Sequence, residues 1–169
     1  MRLLRECGLE NRIHVRSLAA VIQRLEAERA AQKTAMQLGN TVEAETICLP
    51  YGRGGILAAV YLAAVMRKSG VEIRLRAVPV RPETIAVAEA LGRNPYRMDT
   101  VGVLFLTAHS DSLVQRLRAA GIPAACIGRF VPGLDKCVVD KTEREYINRP
   151  ERGITLEAEV FETERTTDA

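Results

Sequence analysis

The sequence predicts an α/β protein in which helices cover a sheet, and three observations carry that prediction. Segments with apolar residues at three- and four-residue steps alternate along the chain with segments of strand character. Residues 71–78 alternate strictly, with Val71, Ile73 and Leu75 facing one way and Glu72, Arg74 and Arg76 the other. Such a strand has one wet face and belongs in an antiparallel or mixed sheet. The 169 residues are 47% hydrophobic and 27% charged, which suits one globular domain large enough to bury a core. Only 4% are aromatic and Trp is absent, so that core is built from Val, Ile, Leu and Ala.

In chain order, residues 13–38 read as a long helix, with Val15, Leu18, Ala19, Ile22, Leu25 and Ala30 on one face. Ser17 is a candidate cap, and Gly39-Asn40 stops the helix. Residues 42–49 alternate and then turn apolar, as a strand entering a core does. Residues 55–68 are apolar nearly all round, the mark of a helix packed on more than one side, and Ser69-Gly70 closes it. The strand 71–78 follows. Pro82 starts a short helix over 82–91 that ends at Gly92, and Asn94-Pro95 makes a loop. Residues 101–108 read as a buried strand. An amphipathic helix spans 110–120, capped by Ser110 or Asp111 and stopped by Gly121. A strand over 122–131 turns at Pro132-Gly133. Shorter strand-like pieces lie at 136–140 and 154–161, and the polar end frays. Three regions result: an N-terminal helical segment (1–40), the main domain (41–162) and the tail (163–169).

The bulk properties exclude several classes. The formal charge of +3 comes from 24 basic and 21 acidic residues, well mixed along the chain. The early arginines are interleaved with Glu6, Glu10, Glu26 and Glu28, and aromatics do not cluster with basic residues, so no nucleic-acid surface is expected. No stretch of about 18 apolar residues and no secretory leader is present, which points to a cytoplasmic protein without a membrane partner. The four cysteines form no C-x-x-C pair and only His14 and His109 accompany them, so no metal site is expected. Cys48 and Cys126 sit in apolar runs and read as buried, whereas Cys7 and Cys137 sit in polar contexts and read as exposed and inert.

Chemistry concentrates at Leu49-Pro50-Tyr51-Gly52-Arg53-Gly54-Gly55-Ile56. Three glycines in four positions let the backbone turn tightly, and a helix opening after them points free N–H groups and its positive end into the same space. Gly52, Arg53, Gly54 and Gly55 are therefore candidates for a phosphate cradle, with the Arg53 guanidinium as counter-charge. The competing reading is a helix and strand packed so closely that only glycines fit. Asp99 and Thr100, just before the strand at 101, stand as possible supports of the same mouth, or as an ordinary turn. His109, without a Ser or Cys nucleophile near it in sequence, reads as a surface or capping residue. The stretch Arg144, Glu145, Arg149, Glu151, Arg152 reads as a solvated face.

Residues 53–131 resemble the C-terminal domain of the aminoimidazole-ribonucleotide (AIR) synthetase superfamily. The resemblance rests on Arg53-Gly54-Gly55 before an apolar helix, Gly70-Val71-Glu72-Ile73 leading to Val78-Pro79-Val80, and Ala90-Leu91-Gly92-Arg93-Asn94-Pro95. It continues through Val101-Gly102-Val103-Leu104, Leu117-Arg118-Ala119-Ala120-Gly121-Ile122 and Cys126-Ile127-Gly128-Arg129-Phe130-Val131. The hydrogenase-maturation branch looks most similar, and residues 16–55 can be laid on it loosely. The resemblance implies an α/β (α+β) sandwich, a mixed sheet with helices packed over it. It also implies that the domain holding magnesium and ATP in such proteins has no counterpart among the roughly fifty residues before Arg53. Pro50 and Gly52 stand where relatives carry an acidic residue and a Thr, and Asp168-Ala169 stands where the hydrogenase-maturation protein ends in a reactive cysteine.

Three functions follow as expectations. The chain is a stand-alone domain that binds a nucleotide, ATP among the possibilities, or another phosphorylated small molecule at Gly52–Gly55. Alternatively it is one subunit of a split synthetase, incomplete as a catalyst alone, whose ATP domain is a separate chain. The third is a structural or regulatory protein that kept the fold without the ligand. The all-apolar helix at 55–68 asks for cover, and a homo-oligomer, in the simplest case a dimer, supplies it.

Overall fold

The computed structural model of the protein describes residues 27, 30–39, 46–108, 110–141 and 143–154. The expectations for Cys7, His14, Ser17, His109, most of the strand at 154–161 and the tail lie outside these residues. The part of the long N-terminal helix that is described, 30–39, is helical and is called α1. There follow β1 (Ile47–Tyr51), α2 (Gly55–Met66), β2 (Gly70–Ile73), a single 3₁₀ turn (Leu75–Ala77), α3 (Pro82–Ala90), β3 (Gly102–Leu106), α4 (Ser110–Ala119), β4 (Gly128–Val131), β5 (Lys136–Asp140) and β6 (Glu143–Tyr146).

Helices plus mixed sheets confirm the α+β class. The strands form two sheets: β1 pairs with β3 antiparallel, and a second sheet has the order β4-β2-β5-β6. That second sheet is mixed, since β2 is antiparallel to β4 and parallel to β5. The one-sided alternation around Val71 is therefore realised as expected, with Val71 and Ile73 buried and Glu72 turned to the other face.

Helix α2 organises the core. Its buried residues include five in succession, Ile56 through Val60, which covers the full circumference of the helix. One cluster joins Ile56, Leu57, Val60 and Ala64 to Val71, Ile73 and Ile147; another joins Ala63 to Leu49 and Leu106. The cover that the sequence assigned to a second copy comes from the chain itself, except at Val65 and Met66, which are half exposed. On the far side of β1 and β3, Ala35 of α1 packs with Leu113 and Leu117 of α4 against Val103 and Phe105. Gln32 fixes α1 by donating Nε2–H to the Gly102 carbonyl at 2.8 Å.

Several boundaries move for physical reasons. The strand expected over 71–78 stops at Ile73, opposite Gly128 where its partner β4 begins. Arg74 donates one last N–H to the Ile127 carbonyl, and the chain then closes the 3₁₀ turn. The strand expected over 122–131 shortens to 128–131 because residues 122–127 have no ladder partner among the described residues. The mixed-charge stretch includes β6, all four of whose residues are exposed, so no apolar period marks it. Helix α2 ends with Lys68, not Gly70, in the left-handed conformation (φ 52°). Lys68 and Ser69 donate to the Val65 and Ala64 carbonyls, which is a Schellman closure. Cys137 is buried, at 1% exposure, and Cys126 is exposed, the reverse of their sequence contexts. Cys137 sits at the centre of β5, paired with β2 and β6, so its neighbours in space are not its neighbours in sequence.

Candidate functional site

The glycine turn is built where β1 ends and α2 begins. Gly54 and Gly55 both take positive φ, 74° and 65°, a conformation that an L side chain adopts only under strain. A Cβ on Gly55 would stand 2.6 Å from the Met98 carbonyl oxygen and 2.7 Å from that of Tyr96. Gly55 is thus required twice, for its dihedral angle and for the close approach of the loop at 94–100.

That loop answers the N–H groups of the turn. Asp99 Oδ1 accepts from the Gly54 N–H at 2.8 Å. The Tyr96 carbonyl accepts from Leu57 N–H at 3.2 Å, and the Gly52 carbonyl accepts from both Gly55 (3.3 Å) and Thr100 (3.0 Å). The loop holds its own shape through Asn94, whose side-chain oxygen accepts from the Tyr96 N–H and whose carbonyl accepts from Arg97.

The structure therefore brings all the sequence candidates together. Gly52 accepts two hydrogen bonds, Gly54 and Gly55 form the left-handed corner, and Asp99 and Thr100 close over it from a loop some 45 positions away. Arg53 projects from the turn and is exposed. Helix α2 has no acidic residue in its own first turn, so the Asp99 carboxylate supplies the negative charge that its positive end favours. The contribution of Tyr96 and Met98 was not legible in the sequence, because backbone carbonyls carry no residue-type signal; Asn94-Pro95 marked only the loop.

Chemically, the corner already seats one carboxylate oxygen on a backbone N–H, and the exposed Arg53 is the preceding residue in the chain. A phosphate on the same N–H meets the Asp99 charge and gains room only if that exposed side chain swings aside. A cavity of about 960 Å³ opens alongside, lined near the turn by Tyr51, Ile56, Tyr96, Asp99 and Thr100. Among the described residues no group of three or more His, Cys, Asp or Glu side chains is arranged to hold a metal ion, and no helix is long and apolar enough to cross a membrane.

No protein-family profile matches the chain, and no curated protein does. Solved structures do. The chain is similar to HypE of E. coli, a hydrogenase maturation protein, with 22% identity and a TM-score of 0.59 over 69% of this chain and 39% of that one. It is similar to HypE in complex with ATP, with 19% identity and a TM-score of 0.55 over 66% of this chain and 38% of that one. For HypE in a HypE–HypF complex the figures are 18%, 0.54, 62% and 37%. The chain thus spans about two-fifths of the length of the structures it matches. What these likenesses show is the fold alone, an α+β fold shared with part of the HypE structures.

Proposed function

We propose that this chain corresponds to the C-terminal domain of HypE-like proteins and binds a nucleotide or another phosphorylated small molecule at Gly52–Gly55. The observation that carries the reading is the corner itself, where a left-handed Gly54-Gly55 turn at the start of α2, preceded in the chain by the exposed Arg53, holds the Asp99 carboxylate at 2.8 Å from the Gly54 nitrogen. A site that accommodates one anionic oxygen on a helix N-terminus has the geometry to accommodate another. The ATP complex of HypE supports a nucleotide as the first ligand to try. In this reading Arg53 pairs with the phosphate, the turn positions it, and Asp99 is a displaceable occupant.

The experiment is isothermal titration with ATP and ADP, with and without magnesium, on the wild type and on Arg53→Ala and Asp99→Asn variants. Loss of Arg53 removes a charged hydrogen bond worth about 1.5–3 kcal/mol, hence about 10- to 150-fold in Kd. Asp99→Asn keeps an acceptor for Gly54 and removes one negative charge, which at about 5 Å in water is about 1 kcal/mol, a several-fold gain in affinity. Binding that is indifferent to both variants, or absent from the wild type, sinks the proposal.

A second reading has its own observation. The Tyr96 and Met98 carbonyls crowd Gly55 closely enough to require glycine with no ligand at all, which fits a packing joint in a structural or regulatory protein. The split-enzyme reading finds support in the complex of HypE with HypF, and predicts that binding appears only when a chain carrying an ATP domain is added.

A further inference from the structure

Strand β3 has a second edge. It pairs with β1 on one side, and on the other it has no ladder partner among the described residues. The cavity of about 960 Å³ passes that edge, because it is lined from both faces of the strand, by Leu104 and Leu106 on the α2 side and by Val103 and Phe105 on the α4 side. A proline fixes which backbone groups point there. The ladder runs unbroken through Pro50, which stands opposite Val103 and has no N–H to give. Pro50 and Val103 are therefore a non-hydrogen-bonded pair, and each turns its backbone groups away from the other. Val103, and by alternation Phe105, direct N–H and C=O at the cavity.

Along such an edge the C=O of one residue and the N–H two residues later lie side by side, between the two apolar faces of the sheet. The small molecule that fits is flat, apolar above and below, and carries a donor next to an acceptor on its rim. That describes a nucleobase, which proteins hold by hydrogen bonds to its Watson–Crick edge and by apolar contact with its faces. The faces would meet Val60 and Ala63 of α2 on one side and Leu113 and Leu117 of α4 on the other, all of which line the cavity. No fully buried side chain among the described residues is polar or charged, so recognition here falls to the backbone edge. The edge also begins at the glycine turn. Gly102, the first residue of β3, stands opposite Tyr51, which directly precedes Gly52. Phe105 lies three residues further along, about 10 Å of strand. One extended nucleotide spans phosphates at Gly52–Gly55 and a base at Val103–Phe105.

We infer that the free edge of β3 is a base-binding subsite, where the Val103 carbonyl and the Phe105 N–H take the Watson–Crick edge of a nucleotide whose phosphates lie on the turn; this rests on the phosphate reading of Gly52–Gly55. The test compares ATP and GTP with methyl triphosphate, which has the phosphates and no base, and with adenosine and guanosine, which have the base and no phosphate. Two hydrogen bonds and the buried base make the better nucleotide bind about tenfold or more tighter than methyl triphosphate. Hydrogen exchange read by mass spectrometry on the wild type locates the contact: amides of 102–106 slow about tenfold with the nucleotide and are unchanged by methyl triphosphate. Phe105→Pro removes the edge N–H that Phe105→Val keeps, so the Pro variant binds the nucleotide about tenfold more weakly than the Val variant, while methyl triphosphate binds the two alike and reports an intact fold. Methyl triphosphate binding as tightly as both nucleotides, or exchange at 102–106 that is the same with all three, overturns the inference and leaves the phosphate reading standing. A nucleoside that protects 102–106 when methyl triphosphate does not bind keeps the base subsite and removes the phosphate reading. No binding by any of the five overturns both.

Discussion

Replacing Gly55 by alanine tests the corner on which the candidate site is built. The residue has φ 65°, and a Cβ there meets the Met98 and Tyr96 carbonyl oxygens at 2.6 and 2.7 Å. Neither oxygen is the end of a flexible side chain, so the loop at 94–100 must move. The left-handed conformation costs a non-glycine residue about 1–2 kcal/mol. Displacing packed backbone costs about 1–3 kcal/mol more. The Leu57 N–H to Tyr96 carbonyl bond, at 3.2 Å, lies on the same path, and its loss adds about 1 kcal/mol. The sum is about 4 kcal/mol, or a fall in Tm of about 8–16 °C for a chain of this size. Gly92→Ala is the control, because φ there is 62° and nothing lies within 4 Å of the added methyl. It should lose only the conformational part, about 1 kcal/mol. Urea unfolding followed by circular dichroism gives both values at 25 °C. Equal losses for the two variants would refute the close approach of the loop, and with it the account of why glycine stands at position 55.

Other expectations follow from single positions. Leu117→Ala empties a site 2% exposed between α1 and α4, and should lose about 3 kcal/mol in the same unfolding assay. Lys68→Gly relieves a non-glycine residue at φ 52° in the closure of α2 and should raise stability by about 0.5–1 kcal/mol; a loss would mean that the helix does not end there. In a Cys7→Ser background, a thiol reagent should modify one cysteine of the native protein rapidly, Cys126, with Cys48 and Cys137 reacting only on unfolding. Peptide mapping of the labelled protein decides this, and early label on Cys137 would contradict its place at the centre of the second sheet.

Local pattern was enough for most elements. The period-3.6 signal of α4, the capping glycine after it and the proline that starts α3 are properties of a few adjacent residues, and both elements lie close to where those residues put them. The glycine turn was legible for the same reason, since backbone freedom is a property of the residue itself. Strand ends were less so. Whether residue 74 continues β2 depends on whether β4 still lies alongside, and β4 is more than fifty positions away. The exposure of Cys126 and the burial of Cys137 likewise follow from which strands flank each residue.

The sequence by itself determined the class of fold, the all-round apolar helix at its centre and the Gly52–Gly55 turn that opens it. Only the tertiary structure decided what that turn meets. Asp99 stands on the Gly54 N–H, two carbonyls stand against Gly55, and Ile154 closes on Gly54 from the far end of the described chain. Composition and period report what a segment can bury and how it can bend, whereas a partner across space is chosen by the packing of the whole chain, and α2 packs between both sheets.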